Sequence, residues 1–215
     1  MAIDVLLVDD HSIVRQGIRS VLSLEPDIKI LAEASNGREA VMLAKKHKPG
    51  IVIMDITLPQ LNGLDASQKI LKQNKNIKIL ILSMHENRVF IEKSLSLGAK
   101  GYILKDSAAD EIVRAIRDVN AGRYFLSSKI SSFVIQDYVS RKKKKTRKYT
   151  VQLTSREREV LQLIAEGVNN KEIAQKLNLS LKTVFAHKNN MMQKLDIHNQ
   201  AQLIRFALKE GMVNL

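Results

Sequence analysis

Short apolar segments rich in β-branched residues recur at regular intervals along the first half of the chain. They are IDVLLV (3–8), IKILAEA (28–34), GIVIM (50–54), IKILILS (77–83) and GYIL (101–104). The segments between them carry apolar residues at helical spacing, as in Ile13, Val14, Ile18, Val21 and Leu22. Strands without a polar face, joined by helix-length connections, are typical of a parallel sheet covered by helices on both sides. We therefore predict an α/β domain with a (βα)5 doubly wound parallel sheet in the strand order 2-1-3-4-5.

The second half of the chain has a different pattern, in which helical spacing is not interrupted by strand-like segments. Residues 127–141 predict one helix, and RKKKKTRK (141–148) predicts a linker, because its like charges repel one another. From residue 153 onward the pattern predicts four short helices with ends at Gly167 and Asn178 and with N-caps at Thr154, Asn170, Ser180 and Asn199. Thr154 and Glu157 also fit a capping box. We expect three regions, namely a domain at 1–122, a helix and basic linker at 123–150, and an all-α four-helix domain at 151–215.

Composition adds a strong charge asymmetry to this picture. The chain has 215 residues and a net charge of +13, and residues 141–215 hold 16 Lys and Arg against 6 Asp and Glu. Such an excess attracts polyanions, most often nucleic acid, although a merely solvated basic surface is the alternative. The absence of cysteine excludes disulfides and thiolate metal sites. No apolar run approaches the roughly 18 residues of a membrane span, so we expect a soluble cytoplasmic protein with no membrane partner.

Polar side chains stand at the edge of the predicted sheet where the parallel strands end. Asp9 and Asp10 follow the first strand, and Asp55, Ser83 and Lys105 end or follow the third, fourth and fifth. Functional groups of open parallel sheets gather there, because loops and helix N-termini face a crevice. Three nearby carboxylates repel one another unless a cation lies between them, and an all-oxygen site suits Mg²⁺. Ser83 and Lys105 would suit a phosphoryl group bound to Asp55 as the nucleophile.

Each of these residues also has a simpler interpretation. A single aspartate after a strand is most often a helix cap, and Lys105 alone would usually be a surface residue. The functional interpretation depends on five such residues standing at matching strand ends, which chance seldom produces.

The basic domain contains the pattern of a helix-turn-helix. Residues 171–177 predict a short helix, NLS (178–180) predicts a turn, and Ser180 opens a second helix. At about 100° per residue, one face of this second helix holds Val184, His187, Met191 and Leu195, and the opposite face holds Lys182, Ala186, Asn189 and Gln193. We expect the first face to pack within the domain and the second to be free.

The free face has side chains suited to a DNA groove. Asn189 and Gln193 carry amides that can pair with adenine, and Ala186 is small enough to approach a thymine methyl. Phe185, at the edge of this face, would touch the same kind of methyl or pack against the neighbouring helix. These residue types predict contacts with base edges.

Other residues of the same helix have different expected roles. Lys182, Lys188 and the 141–148 run would contact phosphates, which position a protein on DNA without specifying sequence. His187 lies on the packed side, and we interpret it as a core or cap residue.

Residues 1–122 resemble the receiver domain of bacterial two-component response regulators, which has a flavodoxin-like fold. The resemblance is carried by Asp9-Asp10, by DITLPQLNG starting at Asp55, by Ser83, and by GAKGYILK ending at Lys105. It implies that Asp55 accepts a phosphoryl group from the phosphohistidine of a histidine kinase, which is an expected partner.

The same resemblance implies a magnesium site. Asp10 and Asp55 would bind Mg²⁺ directly and Asp9 through water, with the backbone carbonyl of Thr57 as a further ligand. Thr57 and His85 stand where members of the family tune the lifetime of the phosphate.

A conformational switch is implied as well. Ser83 would move to bond the phosphate, and Tyr102 would rotate as the aromatic switch, although Tyr102 also fits a half-buried strand aromatic. Asp106 departs from the family, because many receivers have a proline there, often after a cis bond. The geometry of the Lys105-Asp106 peptide bond is therefore open.

Residues 153–215 resemble the LuxR-type helix-turn-helix, so the full chain is similar to response regulators of the NarL/FixJ class. The resemblance is carried by LTSREREVL (153–161), NKEIAQKL (170–177), S-x-x-T-V-x-x-H (180–187) and KL (194–195). It implies that the helix opened by Ser180, with Thr183 near its start, enters the major groove, and that residues 200–213 make a dimer contact. Phe185 departs from the family, in which a charged residue is more usual.

Together these patterns predict a transcription factor rather than an enzyme. Phosphorylation of Asp55 would favour a homodimer that binds paired promoter half-sites.

An Asp-nucleophile phosphatase would need a second acid two residues later, where Thr57 stands. A ligand-sensing LuxR-type activator would need an aromatic pocket, whereas the chain has no Trp and only 4% aromatic residues. A receiver that acts without phosphorylation would not require all five edge residues, and all five are present in this chain.

Overall fold

The computed structural model describes residues 2–86, 88–141 and 153–213. They group into a larger N-terminal unit and a smaller C-terminal unit. All but the first residue of the predicted linker run at 141–148 lie outside the described residues.

The N-terminal unit is built on a parallel sheet with the strand order β2-β1-β3-β4-β5-β6. Its strands are β1 (Ile3–Val8), β2 (Ile28–Ala34), β3 (Ile51–Asp55), β4 (Lys78–Ser83), β5 (Gly101–Leu104) and β6 (Phe125–Leu126). The predicted fold class and the order of the first five strands are confirmed. The sixth strand was not predicted, because two residues carry no periodic signal, and it pairs in register with Gly101 and Tyr102.

Helices connect these strands and cover the sheet. They are α1 (Ser12–Leu22), α2 (Gly37–His47), α3 (Gly63–Gln73), α4 (Arg88–Ser96), α5 (Ala108–Asn120) and α6 (Ser128–Arg141), with a 3₁₀ turn at Lys105–Ser107. The α6 helix agrees with the prediction for residues 127–141. On one face of the sheet, α1 and α5 pack on Val5, Ile53 and Leu82 in a continuous apolar core. Every residue of β3 is buried, as expected for a central strand covered on both faces.

The C-terminal unit consists of helices in its described part, as predicted. They are α7 (Ser155–Ala165), α8 (Asn170–Leu177), α9 (Leu181–Leu195) and α10 (Gln200–Lys209). Their apolar faces meet in one core, in which Val160, Ile173, Val184, Met191 and Leu203 are buried. None of the helices in the described part of the chain has the length and hydropathy needed to cross a membrane.

Local capping explains where these helices begin. The Thr154–Glu157 capping box is present, and Ser180 and Asn199 cap α9 and α10 as predicted. The predicted cap at Asn170 is wrong by one residue. Asn169 takes this place, because its side chain accepts a hydrogen bond from the amide of Glu172 at the third helical position.

An ion pair between α7 and α9 fixes the end of the second helix of the helix-turn-helix. Lys194 Nζ lies 2.8 Å from Oε1 and 2.9 Å from Oε2 of Glu157, whose side chain is buried. The same carboxylate completes the capping box of α7. One side chain therefore stabilises the start of α7 and holds the last turn of α9.

Gly63 allows the start of α3 to lie against the end of β3. Its amide donates to the carbonyl of Ile56, and a Cβ atom at this position would meet the backbone oxygen of Asp55 at 1.7 Å. No side chain fits there without moving backbone. Gly63 therefore fixes the position of Asp55 through main-chain contact.

We predict that Gly63→Ala lowers the free energy of unfolding by about 3 kcal/mol, since overpacking against backbone cannot be relieved by a rotamer change. Gly17→Ala is the matched control, because nothing lies within 4 Å of a Cβ added in the middle of α1. It should be neutral or stabilising by up to about 1 kcal/mol. Urea unfolding followed by circular dichroism measures both, and equal midpoints for the two variants would contradict the prediction.

Candidate functional site

The carboxyl ends of β1, β3, β4 and β5 meet at one edge of the sheet. Strand pairing sets Val8 beside Met54, Asp55 beside Leu82, and Ser83 beside Leu104. The residues that end or follow these strands therefore stand side by side, in the order that the sequence predicted.

Lys105 joins the two buried carboxylates of this edge. Its Nζ lies 2.7 Å from Asp55 Oδ2 and 2.7 Å from Asp9 Oδ2. Asp9 and Asp55 are both buried, and the lysine side chain is only 7% exposed. One ammonium group thus compensates two carboxylates, which leaves the three groups with a net negative charge.

Burial sets the protonation behaviour of this cluster. Burial raises the pKa of Asp55 to about 6, against the opposing effect of the Lys105 ammonium, and the nearby Asp9 carboxylate raises it further. Burial alone would lower the pKa of Lys105, but Asp55 and Asp9 outweigh it, so its pKa is raised. At neutral pH the pair is an ionised carboxylate beside a protonated lysine, which is the state that a nucleophilic aspartate requires.

Four side chains of this edge offer ligand atoms to a single cation. One donor atom each from Asp9, Asp10, His11 and Asp55 lies within 4.8 Å of the other three. The buried Asp9 Oδ2 has Lys105 Nζ at 2.7 Å and no other partner among the described residues, which leaves it capacity for a further cation. The three carboxylates supply oxygen ligands, which Mg²⁺ prefers, and Asp10 is open to water.

His11 is a member of this cluster that the sequence analysis did not identify. Its Nδ1 lies 2.7 Å from Asp10 Oδ1 and 3.2 Å from Asp9 Oδ1. In the sequence, His11 is marked only by its position directly after the acidic pair. Its contacts with the two carboxylates depend on its side-chain rotamer, which the sequence pattern does not encode.

Thr57 and His85 connect the loop after β3 with the loop after β4. The amide of Thr57 donates to Asp55 Oδ1 at 3.3 Å, and Thr57 Oγ1 lies 3.1 Å from His85 Nε2. The imidazole ring stacks on Phe90 with 4.2 Å between centroids. Burial lowers the pKa of His85, and the Lys105 charge lowers it further, so the ring is neutral at pH 7. Phe90 was not identified from the sequence either.

Tyr102 is completely buried, rather than half-buried as in the alternative interpretation. Its hydroxyl donates to the carbonyl oxygen of His85 at 2.7 Å, and the amide of His85 donates to Ser83 Oγ at 3.0 Å. Burial raises the pKa of Tyr102 to about 12, so the hydroxyl stays protonated and remains a donor. The backbone of one residue, His85, therefore bonds both Ser83 and Tyr102.

The peptide bond between Lys105 and Asp106 is trans, like every other described peptide bond. Lys105 begins the short 3₁₀ turn that leads into α5. Asp106 lies outside the cluster and pairs with Lys129 of α6, with 3.0 Å between Asp106 Oδ2 and Lys129 Nζ. Asp106 thus takes part in a surface ion pair.

The two faces of α9 lie as the helical spacing predicted. Val184 and Met191 are buried, and His187 and Leu195 are half-buried. The opposite face is exposed along its length at Lys182, Ala186, Asn189 and Gln193.

The remaining three residues predicted to contact DNA differ in their surroundings. Phe185 is 45% exposed, and it is not part of the apolar core of the described helices. The amide of Thr183 donates to Ser180 Oγ, so Thr183 takes part in the helix cap. Lys188 Nζ donates to Gln200 Oε1 at 2.8 Å, which places its charge at the start of α10.

Two family descriptions match separate parts of the chain. Residues 5–117 match "Response regulator receiver domain", and residues 151–207 match "Bacterial regulatory proteins, luxR family". The transcriptional regulatory protein DegU of Brevibacillus brevis is 31% identical over 226 residues, which cover 99% of this chain and 96% of DegU. The oxygen regulatory protein NreC of Staphylococcus carnosus is 36% identical over 214 residues, covering 98% of this chain and 99% of NreC.

Solved structures give similar matches. The RcsB response regulator of Salmonella typhimurium is 26% identical, with a TM-score of 0.60 over 97% of this chain and 98% of RcsB. A structure of two RcsB dimers bound to two parallel DNAs is 27% identical, with a TM-score of 0.60 over 98% of this chain and 99% of that chain. A LuxR-family two-component response regulator from Aurantimonas sp. matches 65% of this chain and 99% of its own, at 37% identity and a TM-score of 0.62.

We predict that Asp55→Asn stabilises the protein at pH 7.5 in EDTA. The folded-state pKa of Asp55 is about 6, above its ordinary 3.8, so the folded state loses stability as the pH rises through the window between these values. Asparagine carries no charge and removes this loss, which amounts to about 1 to 3 kcal/mol. Most of the gain should be lost at pH 4, close to the ordinary pKa of 3.8, because the folded-state aspartate is then protonated and the unfolded-state one is partly protonated.

Urea unfolding at pH 4 and pH 7.5 measures this difference. Asp110→Asn, at an exposed position of α5, is the matched control and should shift stability by less than about 0.5 kcal/mol at either pH. A lower stability of Asp55→Asn at pH 7.5 would show that the ion pair with Lys105 outweighs the burial of the charge.

Proposed function

Because the chain belongs to the bacterial two-component response regulators that join a receiver domain to a LuxR-type DNA-binding domain, we propose that phosphorylation of Asp55 controls its binding to promoter DNA. The observation that carries the proposal is the Lys105 ammonium held 2.7 Å from a buried aspartate at the end of β3. We propose the boundaries 1–122 for the receiver, 123–150 for the helix and basic linker, and 151–215 for the DNA-binding domain.

In the proposed reaction, a carboxylate oxygen of Asp55 attacks the phosphorus of a phosphohistidine on a partner histidine kinase. The oxygen–phosphorus bond forms as the nitrogen–phosphorus bond breaks, and the electron pair of the broken bond returns to the imidazole. Asp55 is ionised at neutral pH, and Lys105 is positioned to compensate the charge that the phosphoryl group brings. Thr57 orients the carboxylate by donating its amide hydrogen to Oδ1.

We propose Mg²⁺ as the cofactor of this reaction. Asp9, Asp10 and Asp55 would hold the ion, with the backbone carbonyl of Thr57 as a further ligand. When bound, the ion supplies positive charge that neutralises the phosphoryl oxygens in the transition state. His11 lies close enough to Asp9 and Asp10 to keep both carboxylates oriented toward the site.

The phosphoryl group adds a charge of about −1 to −2 to a pocket that is already negative. We propose that Ser83 shifts to donate its hydroxyl to this group and that Tyr102 reports the shift. The hydrogen bonds from His85 to Ser83 and from Tyr102 to His85 supply the physical connection. The movement would alter a helical face of the receiver and favour a homodimer.

A homodimer would present two copies of α9 to paired half-sites, with residues 200–213 in the dimer contact. We propose Lys182, Thr183, Phe185, Ala186, Lys188, Asn189 and Gln193 as the DNA-contacting residues of each copy. Linking two binding units makes the second binding event intramolecular, so dimerisation alone can raise DNA affinity. The protein would act as a cytoplasmic regulator and not as an enzyme.

We predict that acetyl phosphate with Mg²⁺ increases both the dimer fraction and the promoter affinity of the wild-type protein, the affinity by about tenfold or more. Asp55→Asn should show neither increase, because it has no carboxylate to phosphorylate. Size-exclusion chromatography with light scattering measures the dimer, and gel-shift titration measures the affinity. Asp110→Asn should respond like the wild type, and equal responses of all three proteins would refute the proposal.

We also predict that Lys182→Ala weakens binding to specific and non-specific DNA by a similar factor. A lost phosphate contact lowers the slope of log affinity against log salt by about 0.9 for each protomer bound. Gel-shift titrations at several salt concentrations measure this slope. Lys45→Ala, an exposed lysine of α2 in the receiver, removes the same charge and should leave the slope unchanged.

A further inference from the structure

Leu181 and Phe185 form an exposed apolar pair at the start of α9. Leu181 is 39% exposed and Phe185 is 45% exposed, although both are large hydrophobic side chains. They stand four residues apart, so their side chains are neighbours on the helix surface. Neither belongs to the apolar core, which α9 enters through Val184 and Met191.

The surroundings of this pair are basic. The α9 helix carries Lys182 and Lys188 close to the pair and contains no Asp or Glu. An apolar pair in such a setting suits a polyanion that also exposes apolar groups. The positive charge of the helix indicates that the pair contacts DNA rather than the apolar face of another protein.

The major groove of DNA contains one apolar group, the C5 methyl of thymine. Recognition helices contact base edges through their N-terminal residues, and Leu181 is the first residue of α9, with Phe185 one turn later. Side chains at this spacing lie about 5 to 6 Å apart, which corresponds to one or two base-pair steps of roughly 3.4 Å. The pair therefore fits two thymine methyls on adjacent or next-adjacent base pairs.

The start of α9 is held firmly enough to position such contacts. Ser180 accepts from the amide of Thr183 at 3.0 Å, and their hydroxyl oxygens lie 2.8 Å apart. At the other end of the helix, Lys194 is paired with the buried carboxylate of Glu157. A preorganised helix loses little conformational freedom on binding, which favours selectivity by small contacts.

We propose that Leu181 and Phe185 recognise thymine methyl groups and that each half-site of the operator contains one or two thymines selected in this way. The proposal rests on the proposed function and specifies the chemistry of the DNA that the domain selects. Asn189 and Gln193, further along the same exposed side, supply the amides for base hydrogen bonds. Apolar side chains near the start of α9 thus recognise thymine methyls, and amide side chains further along recognise bases through hydrogen bonds.

The test removes only the methyl group. A binding site is selected from random duplexes with the phosphorylated full-length protein, and each thymine of it is then replaced in turn by deoxyuridine. Wild-type affinity should fall about fourfold for each contacted methyl, at one or two positions per half-site. Phe185→Ala or Leu181→Ala should lose this penalty at one of these positions, while the penalties at the remaining positions persist.

Leu24→Ala provides the matched control, because Leu24 is an exposed leucine just after α1 in the receiver. It should keep wild-type affinity and the full uracil penalty. Circular dichroism establishes that each variant is folded, and Phe185→Leu, which keeps an apolar side chain, should retain part of the penalty.

The outcomes separate this inference from the proposed function. Specific binding that is indifferent to uracil at every position overturns the inference and leaves the proposed function intact. A loss of self-association in Phe185→Ala with an unchanged uracil penalty also overturns it, because the patch would then be a protein contact. Failure to select any site would overturn both.

Discussion

The charge balance at the carboxyl edge of the receiver sheet depends on a single ammonium group, which is held between two buried carboxylates. Without Lys105, Asp9 and Asp55 would face each other as like charges in a poorly solvated site, which is unfavourable. With it, the charge of Asp55 is compensated, and two carboxylates share one ammonium, which leaves room for a further cation. The order β1-β3-β4-β5 brings these side chains together, so the topology of the sheet determines the chemistry of the site.

The sheet could be predicted from the sequence because its central strands are apolar on both faces, and right-handed crossovers leave few possible orders. Asp55, Ser83 and Lys105 followed from the same argument, because a strand end has a fixed place in such a sheet. Its sixth strand did not, because Phe125–Leu126 is defined by its pairing with β5 and not by any pattern of its own. His11 was missed for a related reason, since its contacts depend on a side-chain rotation that spacing does not encode.

Helix α9 shows the same difference between what a sequence pattern predicts and which contacts form. A period of 3.6 residues was sufficient to place Val184 in the core and Asn189 on the surface. It could not show that Thr183 takes part in the cap or that Lys188 bonds Gln200, because these contacts involve the helix start and a neighbouring helix. Periodicity assigns a face to a residue, whereas its partner on that face depends on three-dimensional packing.

The proposed switch follows from hydrogen bonds that share one residue. The amide of His85 donates to Ser83 Oγ, and its carbonyl accepts from Tyr102. If Ser83 turned toward a phosphoryl group, the His85 amide would lose its acceptor, and a donor left unpaired and shielded from water costs about 1 to 3 kcal/mol unless the loop moves. A shift of the His85 backbone would in turn displace the acceptor of the buried Tyr102 hydroxyl. Tyr102 therefore need not contact the phosphate to respond to it, because the cost of leaving either hydrogen bond unmade couples the two side chains.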